Sequence, residues 1–165
     1  MLDTPNYSPQ QLNRLRRFFH AMNHGMVLML RLGLGRLCEW WPAGFGRIMV
    51  IEHHGRRTGK QYLTPVNYAP VDGDVYCLAG FGPGTDWYQN IMKDPRVRLW
   101  LPLGRRAARA SDASGSPRRV DLMRQVIIGS GFAGPLMGVD QRKLSDAQLD
   151  TLTQDYRLVH FELEA

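Results

Sequence analysis

The chain has 165 residues, 44% of them hydrophobic and 22% charged, so it is long enough to bury the core of one globular domain. Its 21 Lys and Arg residues outnumber 15 Asp and Glu, and the net charge of +6 favours a polyanionic partner: a phosphorylated cofactor, a nucleic acid or an anionic membrane surface. Because no aromatic RNA-binding motif accompanies the arginines, we rank nucleic acid last and expect none among the partners.

The N-terminal sequence resembles neither a secretory signal nor a membrane span. Asp3 and three arginines precede any apolar run. Arg31 and Arg36 interrupt the one oily stretch, which is shorter than the ~20 residues that a spanning helix needs. Cys38 and Cys77 have neither metal-binding nor redox spacing, so we expect a reduced, cytoplasmic protein.

Two helices are predicted before residue 45. Ser8 is a suitable N-cap, and apolar residues then recur at helical spacing as far as Met22. A second, oilier helix is predicted from Met26 to about Cys38. Basic and apolar faces coexist over residues 10–38, which fits peripheral membrane contact as well as helices packed on the remainder of the domain. We favour packing, with residues 1–45 as a helical segment of one domain spanning residues 1–165.

From residue 47 the apolar pattern changes from a period of 3.6 to a period of 2, which predicts strands. The stretches "RIMVIEHH", "QYLTPVNY" and "VYCLAG" are three such strands, and "PVDGD" is the hairpin turn between the last two. In the second strand, Pro65 implies a free edge or a bulge. Alternation places four side chains on one face of that strand: Tyr62, Thr64, Val66 and Tyr68.

The second half of the chain predicts short helices between further strands. A helix capped by Thr85 or Asp86 follows the glycine-rich "FGPG", and "VRLWLPL" with "RRAARASDA" predicts another hairpin. Helices are predicted from Ser116 to about Ile128 and from a capping box at Ser145, before the last strand "YRLVHFELE". Antiparallel hairpins dominate, so we expect an α+β barrel-like domain rather than a Rossmann fold.

The turn "GRRTGK" concentrates cations between two strands. It echoes the end of a P-loop, but Gln61 stands where the metal-binding hydroxyl belongs, and a strand follows instead of a helix. The turn is either an anion cradle or a solvated hairpin tip. His53 and His54 either contact the same anion or only shape the turn. The cradle residues would be Arg56, Arg57, Thr58, Gly59 and Lys60.

The segment "AGFGPGTDWYQN" is the second candidate for ligand binding. Its glycines allow a ligand to approach the backbone closely, and the helix that follows begins with unpaired amides. Trp87, Tyr88 and Asn90 lie in the first turns of that helix; the alternative is that the aromatic pair only anchors the helix to the barrel. An aromatic ring system with a phosphorylated tail would suit this segment and the charged turn together.

Hydrolysis and metal chemistry find no support in the sequence. His20 and His24 have the spacing of two metal ligands but no evident third, so we predict no metal site. Cys77 has no base nearby in sequence, and no nucleophile elbow is present. No catalytic side chain can be identified.

Four motifs taken together resemble the deazaflavin-dependent nitroreductase family, within the split β-barrel class of flavin and deazaflavin oxidoreductases. They are "GRRTGK" followed by "TPVNY", then "DGDVYCLAGFG", "DWYQN" and "DPRVRLWL", in that order and with similar spacing. The resemblance is close over residues 47–101 and looser elsewhere. It implies a split β-barrel of about six mostly antiparallel strands, with N-terminal and peripheral helices, that binds coenzyme F420 (an 8-hydroxy-5-deazaflavin).

The resemblance also implies roles for individual residues. Arg56, Arg57, Thr58, Gly59 and Lys60 would bind the phosphate or the carboxylates of the oligoglutamate tail. Thr64, Pro65, Val66 and the backbone of Ala79, Gly80, Phe81 and Gly82 would lie against the ring. Trp87, Tyr88 and Asn90 would close the site. If the acceptor needs a proton donor, the candidates are Tyr68, Tyr88 and His24.

By this resemblance the protein transfers a hydride from reduced F420 to a quinone, a nitroaromatic or a similar hydrophobic acceptor. Tyr62, where many members carry a basic residue, and the short loop 80–86 leave FMN in the same barrel as the alternative cofactor. A non-catalytic protein that binds cofactor or lipid is the second alternative. Barrels of this class often dimerise, so a homodimer also remains open.

Overall fold

The structure is a computed structural model that describes residues 46–131 and 144–164, together with residues 25, 28, 29 and 32. Six strands and three helices lie in these two long ranges. In chain order they are β1 (Ile48–His54), β2 (Gln61–Val71), β3 (Asp74–Ala79), α1 (Asp86–Lys93), β4 (Arg96–Leu101), β5 (Gly104–Asp112), α2 (Arg119–Gly129), α3 (Asp146–Leu152) and β6 (Arg157–Leu163).

The six strands form a closed barrel in the order β1-β2-β3-β6-β5-β4. Every neighbouring pair is antiparallel, as expected for strands joined mainly by hairpins. The turn between β2 and β3 consists of Asp72 (φ 55°) and Gly73 (φ 92°), the two left-handed residues of a tight hairpin. The α+β split-barrel prediction is therefore confirmed.

Strand alternation separates the interior of the barrel from its outer face. On β1, Met49 and Ile51 point inward and are fully buried, whereas Val50 packs on the outside against Trp100 of β4. The interior also holds Val159 and Phe161 of β6, with Leu163 packed against them. A one-residue shift in register would expose this entire set, so burial fixes the register of the strands.

The ladder between β2 and β3 covers only part of β2. It runs from the pair Tyr68–Cys77 to the pair Val71–Asp74, whereas β2 continues back to Gln61 alongside β1 alone. Pro65 lies in this stretch, where a missing N–H removes no bond to β3. The free edge predicted at Pro65 is thus present, and it opens the barrel wall between β2 and the end of β3.

Helix α2 packs across this opening because two glycines let it approach. A Cβ at Gly129 would lie 2.7 Å from the carbonyl oxygen of Tyr68 on β2. A Cβ at Gly46, whose φ is +74°, would lie 2.4 Å from the carbonyl carbon of Ser130. The amide of Arg47 donates to the Gly129 carbonyl at 2.7 Å, which fixes the end of the helix there. Neither glycine could be replaced without moving the backbone.

One predicted helix begins later than the sequence indicated. The Ser116 carbonyl accepts from the amide of Arg119 at 2.9 Å, and its hydroxyl accepts from the amide of Arg118 at 3.2 Å. Residues 116–118 are therefore a turn, and α2 starts at Arg119. The capping box at Ser145 is confirmed, since the side chains and amides of Ser145 and Gln148 bond reciprocally.

The predicted helices of residues 1–45 lie outside the described residues except at positions 25, 28, 29 and 32. Of these, Met29 packs against the outer cluster of Val50 and Trp100. Leu28 and Leu32 are exposed, and the amide of Leu32 donates to the carbonyl of Leu28 at 3.0 Å. Among the helices that the structure describes, none has the length and apolar character needed to cross a bilayer.

Candidate functional site

The charged turn between β1 and β2 is held against α1 by Arg56. Its backbone amide donates to Asn90 Oδ1 at 3.1 Å, and its Nη1 donates to the same oxygen at 2.9 Å. Nη1 also pairs with Asp86 Oδ1 at 2.9 Å. Because Asn90 is buried and accepts twice from one residue, it fixes both the backbone and the side chain of Arg56.

The other cations of the turn remain available. Arg57 is exposed and has no carboxylate partner among the described residues. Lys60 is exposed as well, and its Nζ lies 5.9 Å from the centroid of the Tyr62 ring. Gly59 adopts a φ of 67°, and its amide donates to the Gly55 carbonyl at 2.9 Å. The turn thus presents two positive charges that have no carboxylate partner among the described residues, on a tightly bonded loop.

A cavity of about 460 Å³ lies between this turn, the neighbouring end of β2 and the start of α1; we call it the polar pocket. Arg57 and the hydroxyl-bearing residues Thr58 and Thr64 line it, together with the carboxylate of Asp86. Its lining consists of His53, Gly55, Arg56, Arg57, Thr58, Tyr62, Thr64, Thr85, Asp86, Trp87 and Asn90.

His53 is the buried titratable group of the polar pocket. It is 2% exposed, its Nε2 lies 3.0 Å from Thr64 Oγ1, and its ring stacks on Tyr62 at 5.8 Å between centroids. Its Nδ1 is buried without a hydrogen-bond partner in the described part of the chain. Burial lowers the pKa of His53 below its usual value; the backbone of His54 partly opposes this shift, and the charge of His54 adds to it, so the neutral imidazole is favoured at pH 7.

A second cavity, of about 230 Å³, lies in the opening between β2 and β3; we call it the apolar pocket. The exposed ring of Phe81 stands at its rim, and Val126 and Ile127 of α2 form the wall opposite β2. Its lining consists of Pro65, Val66, Asn67, Leu78, Ala79, Gly80, Phe81, Thr85, Trp87, Val126, Ile127, Ser130 and Tyr156.

The two pockets adjoin at the start of α1, where Thr85 and Trp87 line both. Thr85 is the N-cap of α1, and its hydroxyl donates to the Gly82 carbonyl at 2.8 Å. Gly82 has a φ of 74°, and a Cβ there would lie 2.9 Å from the carbonyl oxygen of Asp155. The loop 80–86 is therefore short and closely packed, and it sets Trp87 between the two pockets.

Tyr88 points away from both pockets into the barrel core. It is buried, and its hydroxyl donates to Asp112 Oδ2 at 2.8 Å. Burial, followed by this bond and the nearby Asp112 charge, raises the pKa of Tyr88 to about 12. Tyr88 therefore holds its proton at neutral pH. Tyr68 is also buried in the core, and His24 lies outside the described residues.

The fold brings most of the residues singled out from the sequence to one side of the barrel. Arg56, Arg57, Thr58, Thr64, Trp87 and Asn90 line the polar pocket. Pro65, Val66, Ala79, Gly80, Phe81 and again Trp87 line the apolar pocket. Four of the predicted set line neither of these pockets: Gly59 and Lys60 in the turn, Gly82 in the loop, and Tyr88 in the core.

Several lining residues carried no sequence signal. Val126 and Ile127 reach the apolar pocket because α2 folds back over the opening, and Tyr156 reaches it from the residue before β6. Asp86 lies in the first turn of α1, where acidic residues are favoured. Its ion pair with Arg56 depends on the tertiary fold, because the two residues belong to different elements. Tyr62 shares a face with Thr64, so alternation alone placed it near the site.

The donor set fits an aromatic ring system with an anionic tail. The apolar pocket has the lining that a flat ring edge needs, and Trp87 joins it to a polar pocket lined by neutral hydroxyls and by the Arg57 guanidinium, which has no carboxylate partner among the described residues. The buried and unpartnered Nδ1 of His53 is the kind of unsatisfied polar atom that accompanies ligand sites. The described residues contain no cluster of three or more His, Cys, Asp or Glu side chains suited to a metal ion.

Three solved structures resemble the barrel at low sequence identity. The conserved hypothetical protein Rv2991 of Mycobacterium tuberculosis has 17% identity, a TM-score of 0.50 and coverage of 74% of this chain and 78% of that one. A candidate 5-nitroimidazole antibiotic resistance protein of Bacteroides thetaiotaomicron has 9% identity, a TM-score of 0.52 and coverage of 73% and 74%. The F420-H2 dependent reductase FDR-A has 18% identity, a TM-score of 0.50 and coverage of 72% and 94%. These similarities support the fold.

Sequence comparison identifies the family. The M. tuberculosis protein Rv3178, named as a candidate F420H(2)-dependent quinone reductase, is 29% identical over 82 residues, which are 46% of this chain and 69% of that protein. The profile of the F420H(2)-dependent quinone reductase family matches residues 29–140, which include both pockets apart from Tyr156. The oxidoreductase and F420 predictions are confirmed at this level: the chain belongs to the F420H(2)-dependent quinone reductase family and is an F420-dependent oxidoreductase.

Proposed function

We propose that this protein reduces a quinone, or a nitroaromatic of similar size and polarity, with hydride from F420H2. The observation that carries the proposal is the pair of adjoining pockets, one polar and cationic and one apolar, which share Trp87. When bound, the reduced cofactor supplies the hydride, and the protein supplies position, polarity and exclusion of water. The edge of the cofactor ring and a hydrophobic acceptor stacked on it would share the apolar pocket, because its walls are mainly aliphatic and aromatic.

The cationic turn supports binding of the phosphate and the tail carboxylates of the cofactor. Arg56 is committed to Asn90 and Asp86, so its role is to hold the turn in place. Arg57 and Lys60 remain for the ligand, with the Thr58 hydroxyl and the turn amides as further donors. The carboxylate of Asp86 lies beside Arg56 and reduces the positive potential there. The anionic groups of the cofactor would therefore bind on the side of the turn that carries Arg57 and Lys60.

The ring is proposed to lie between Thr64, Pro65 and Val66 on β2 and the backbone of residues 79–82. Gly80, which lines the apolar pocket, permits close approach of a planar ligand. Trp87 stands where it can contact both the ring and the acceptor, since it lines both pockets. Tyr88 supports the site from behind, because its hydroxyl fastens α1 to β5 through Asp112.

The N-terminal segment is the candidate for contact with the membrane in which a lipid-soluble acceptor is dissolved. Leu28 and Leu32 are both exposed on the part of it that the structure describes. A peripheral contact through residues 10–38 would bring a membrane quinone to the protein without a spanning helix. Co-sedimentation with anionic vesicles tests this contact. If the fraction of protein left in the supernatant is the same with and without vesicles, the protein makes no membrane contact.

The deciding experiment is a two-part assay on the purified chain. Fluorescence titration measures F420 and FMN binding separately, and F420H2 oxidation is then followed with a quinone and with a nitroaromatic. We expect F420 to bind in preference to FMN and the quinone to be reduced. Failure to bind F420 would overturn the proposal. Binding of F420 without oxidation of F420H2 would show that the cofactor is right and that the proposed acceptors are wrong.

A matched pair of variants tests the acceptor pocket. Phe81 and Leu103 are 79% and 81% exposed, but only Phe81 lines the apolar pocket; Leu103 lies in the β4–β5 turn. We expect Phe81→Ala to raise the KM for the quinone about three- to tenfold, because it removes an apolar wall. Leu103→Ala should leave this KM unchanged, and an equal effect of both would contradict the assignment of the pocket.

A further inference from the structure

His53 is buried in the polar pocket, and its two ring nitrogens differ in their hydrogen bonding. Nε2 lies 3.0 Å from Thr64 Oγ1, whereas Nδ1 has no hydrogen-bond partner within the described residues. The Tyr62 ring stacks on the imidazole, and the Lys60 ammonium in turn approaches the Tyr62 ring. The imidazole is therefore covered on this side and 2% exposed overall. The Thr64 hydroxyl is its side-chain partner, and the backbone of His54 lies close enough to raise the pKa of the ring against the larger effect of burial.

The direction of the His53–Thr64 bond follows from the cost of the alternatives. If Nδ1 carried the proton, its buried N–H would find no acceptor with hydrogen-bond geometry among the described residues, which is costlier than a buried lone pair that lacks a donor. A doubly protonated ring would add a buried charge, and burial already lowers the pKa of His53. The favoured state is neutral imidazole with the proton on Nε2, donating to Thr64 Oγ1.

In this state Thr64 becomes a donor toward the ligand. A hydroxyl has one hydrogen, and when its oxygen accepts from His53 that hydrogen is free for another acceptor. Thr64 lines the polar pocket, and the next residues, Pro65 and Val66, line the apolar pocket. The hydroxyl thus stands at the boundary, where the polar edge of a ring that spans both pockets would lie.

We propose that His53 is a positioning residue: its Nε2–H fixes the Thr64 hydroxyl as a hydrogen-bond donor to an oxygen or nitrogen acceptor on the ring of bound F420. This inference rests on the proposed function for its ligand, whereas the His53–Thr64 bond stands on the geometry of the protein alone. Because His53 acts through Thr64, its effect on binding disappears when the Thr64 hydroxyl is removed.

The first test reads the tautomer in the free protein. Long-range 15N–1H correlation spectra of the full chain, labelled on histidine, report which nitrogen carries the proton. We expect the His53 ring to be neutral at pH 7 with the proton on Nε2. A proton on Nδ1, or a doubly protonated ring at this pH, would overturn the inference whether or not F420 binds.

The second test is a double-mutant cycle on F420 affinity, with His54→Phe as the control for an exposed histidine next in sequence. We expect Thr64→Val to weaken binding about fivefold, as for the loss of one neutral hydrogen bond, and Thr64→Ser to retain affinity. His53→Phe should weaken binding about two- to threefold in the wild type and leave Thr64→Val unchanged. His54→Phe should leave affinity unchanged.

Equal effects of His53→Phe in both backgrounds would show a merely structural role and overturn the proposal, as would an equal loss in Thr64→Val and Thr64→Ser. If His53→Phe does not fold, the Thr64 pair and the tautomer still decide between the alternatives. If the wild type does not bind F420, the proposed function fails, and so does the assignment of F420 as the ligand of Thr64. The tautomer measurement still tests the hydrogen bond between His53 and Thr64 on its own.

Discussion

The barrel has a continuous side and an open side, and they are built differently. On the continuous side, β3, β6, β5 and β4 pair along most of their lengths, and Phe161 and Val159 fill the interior with full burial. On the open side, β2 pairs with β3 only from Tyr68 onward, the apolar pocket lies in the opening, and the polar pocket adjoins it. A buried imidazole nitrogen there has no hydrogen-bond partner within the described residues. The difference teaches that the fully packed interior and the pockets are built on separate walls of one barrel.

This separation predicts that the largest loss of stability comes from the continuous side. Phe161→Ala should lower the free energy of unfolding by about 3–5 kcal/mol, because it removes a fully buried ring from a packed core. Phe81→Ala, at the rim of the open side, should change it by less than about 0.5 kcal/mol. Urea denaturation of both variants measures this contrast, and similar losses would refute the division.

The contact that closes the open side should be the next most sensitive. Gly129→Ala should cost about 1–3 kcal/mol of unfolding free energy, because its Cβ would meet the Tyr68 carbonyl oxygen and push α2 off β2. Gly115→Ala is the matched control, since a Cβ there meets nothing within 4 Å, and it should be neutral or stabilise by up to about 1 kcal/mol. Thermal denaturation of the pair should therefore show shifts of opposite sign or clearly different size.

The link between the two sides is the bond from Tyr88 to Asp112. Tyr88→Phe should lower the free energy of unfolding by about 1 kcal/mol at pH 7. The pKa of Tyr88 is raised from 10.0 to about 12, so its contribution is complete below pH 10 and is lost as the pH rises to about 12. The wild type should therefore lose stability over this range more steeply than Tyr88→Phe, as urea midpoints at each pH would show; parallel slopes would contradict the assignment.

The smallest expected effect concerns the free cations of the turn. Arg57→Ala should weaken F420 binding about two- to fivefold, because an exposed cation contributes little to a solvated anion. Arg109, exposed on β5 and outside both pockets, is the matched control for the loss of one positive charge. The difference between the two variants should vanish at about 1 M salt, where the screening length is about 3 Å. If the loss of affinity in Arg57→Ala does not depend on salt, Arg57 does not act through its charge on the anion of the cofactor.

Sequence reasoning located the strands well because their signals are local. Period-2 alternation marked β1, β2 and β6, and the Asp72-Gly73 turn fixed a hairpin. The start of α2 was misplaced because Ser116 and Pro117 form a turn before the helix instead of its first residues. The same cap chemistry serves both arrangements, and local sequence alone does not distinguish them.

The sequence by itself determined the barrel, the cationic turn and the glycine-rich loop, since each depends on a periodicity or on residues adjacent in the chain. Tertiary structure alone decided which cations remain free, because Arg56 is engaged by Asn90 and Asp86 from another element. It also decided the wall that α2 contributes and the pairing of His53 with Thr64, across the register of β1 and β2. These contacts join residues distant in sequence, and their energies depend on burial, which only the folded chain creates.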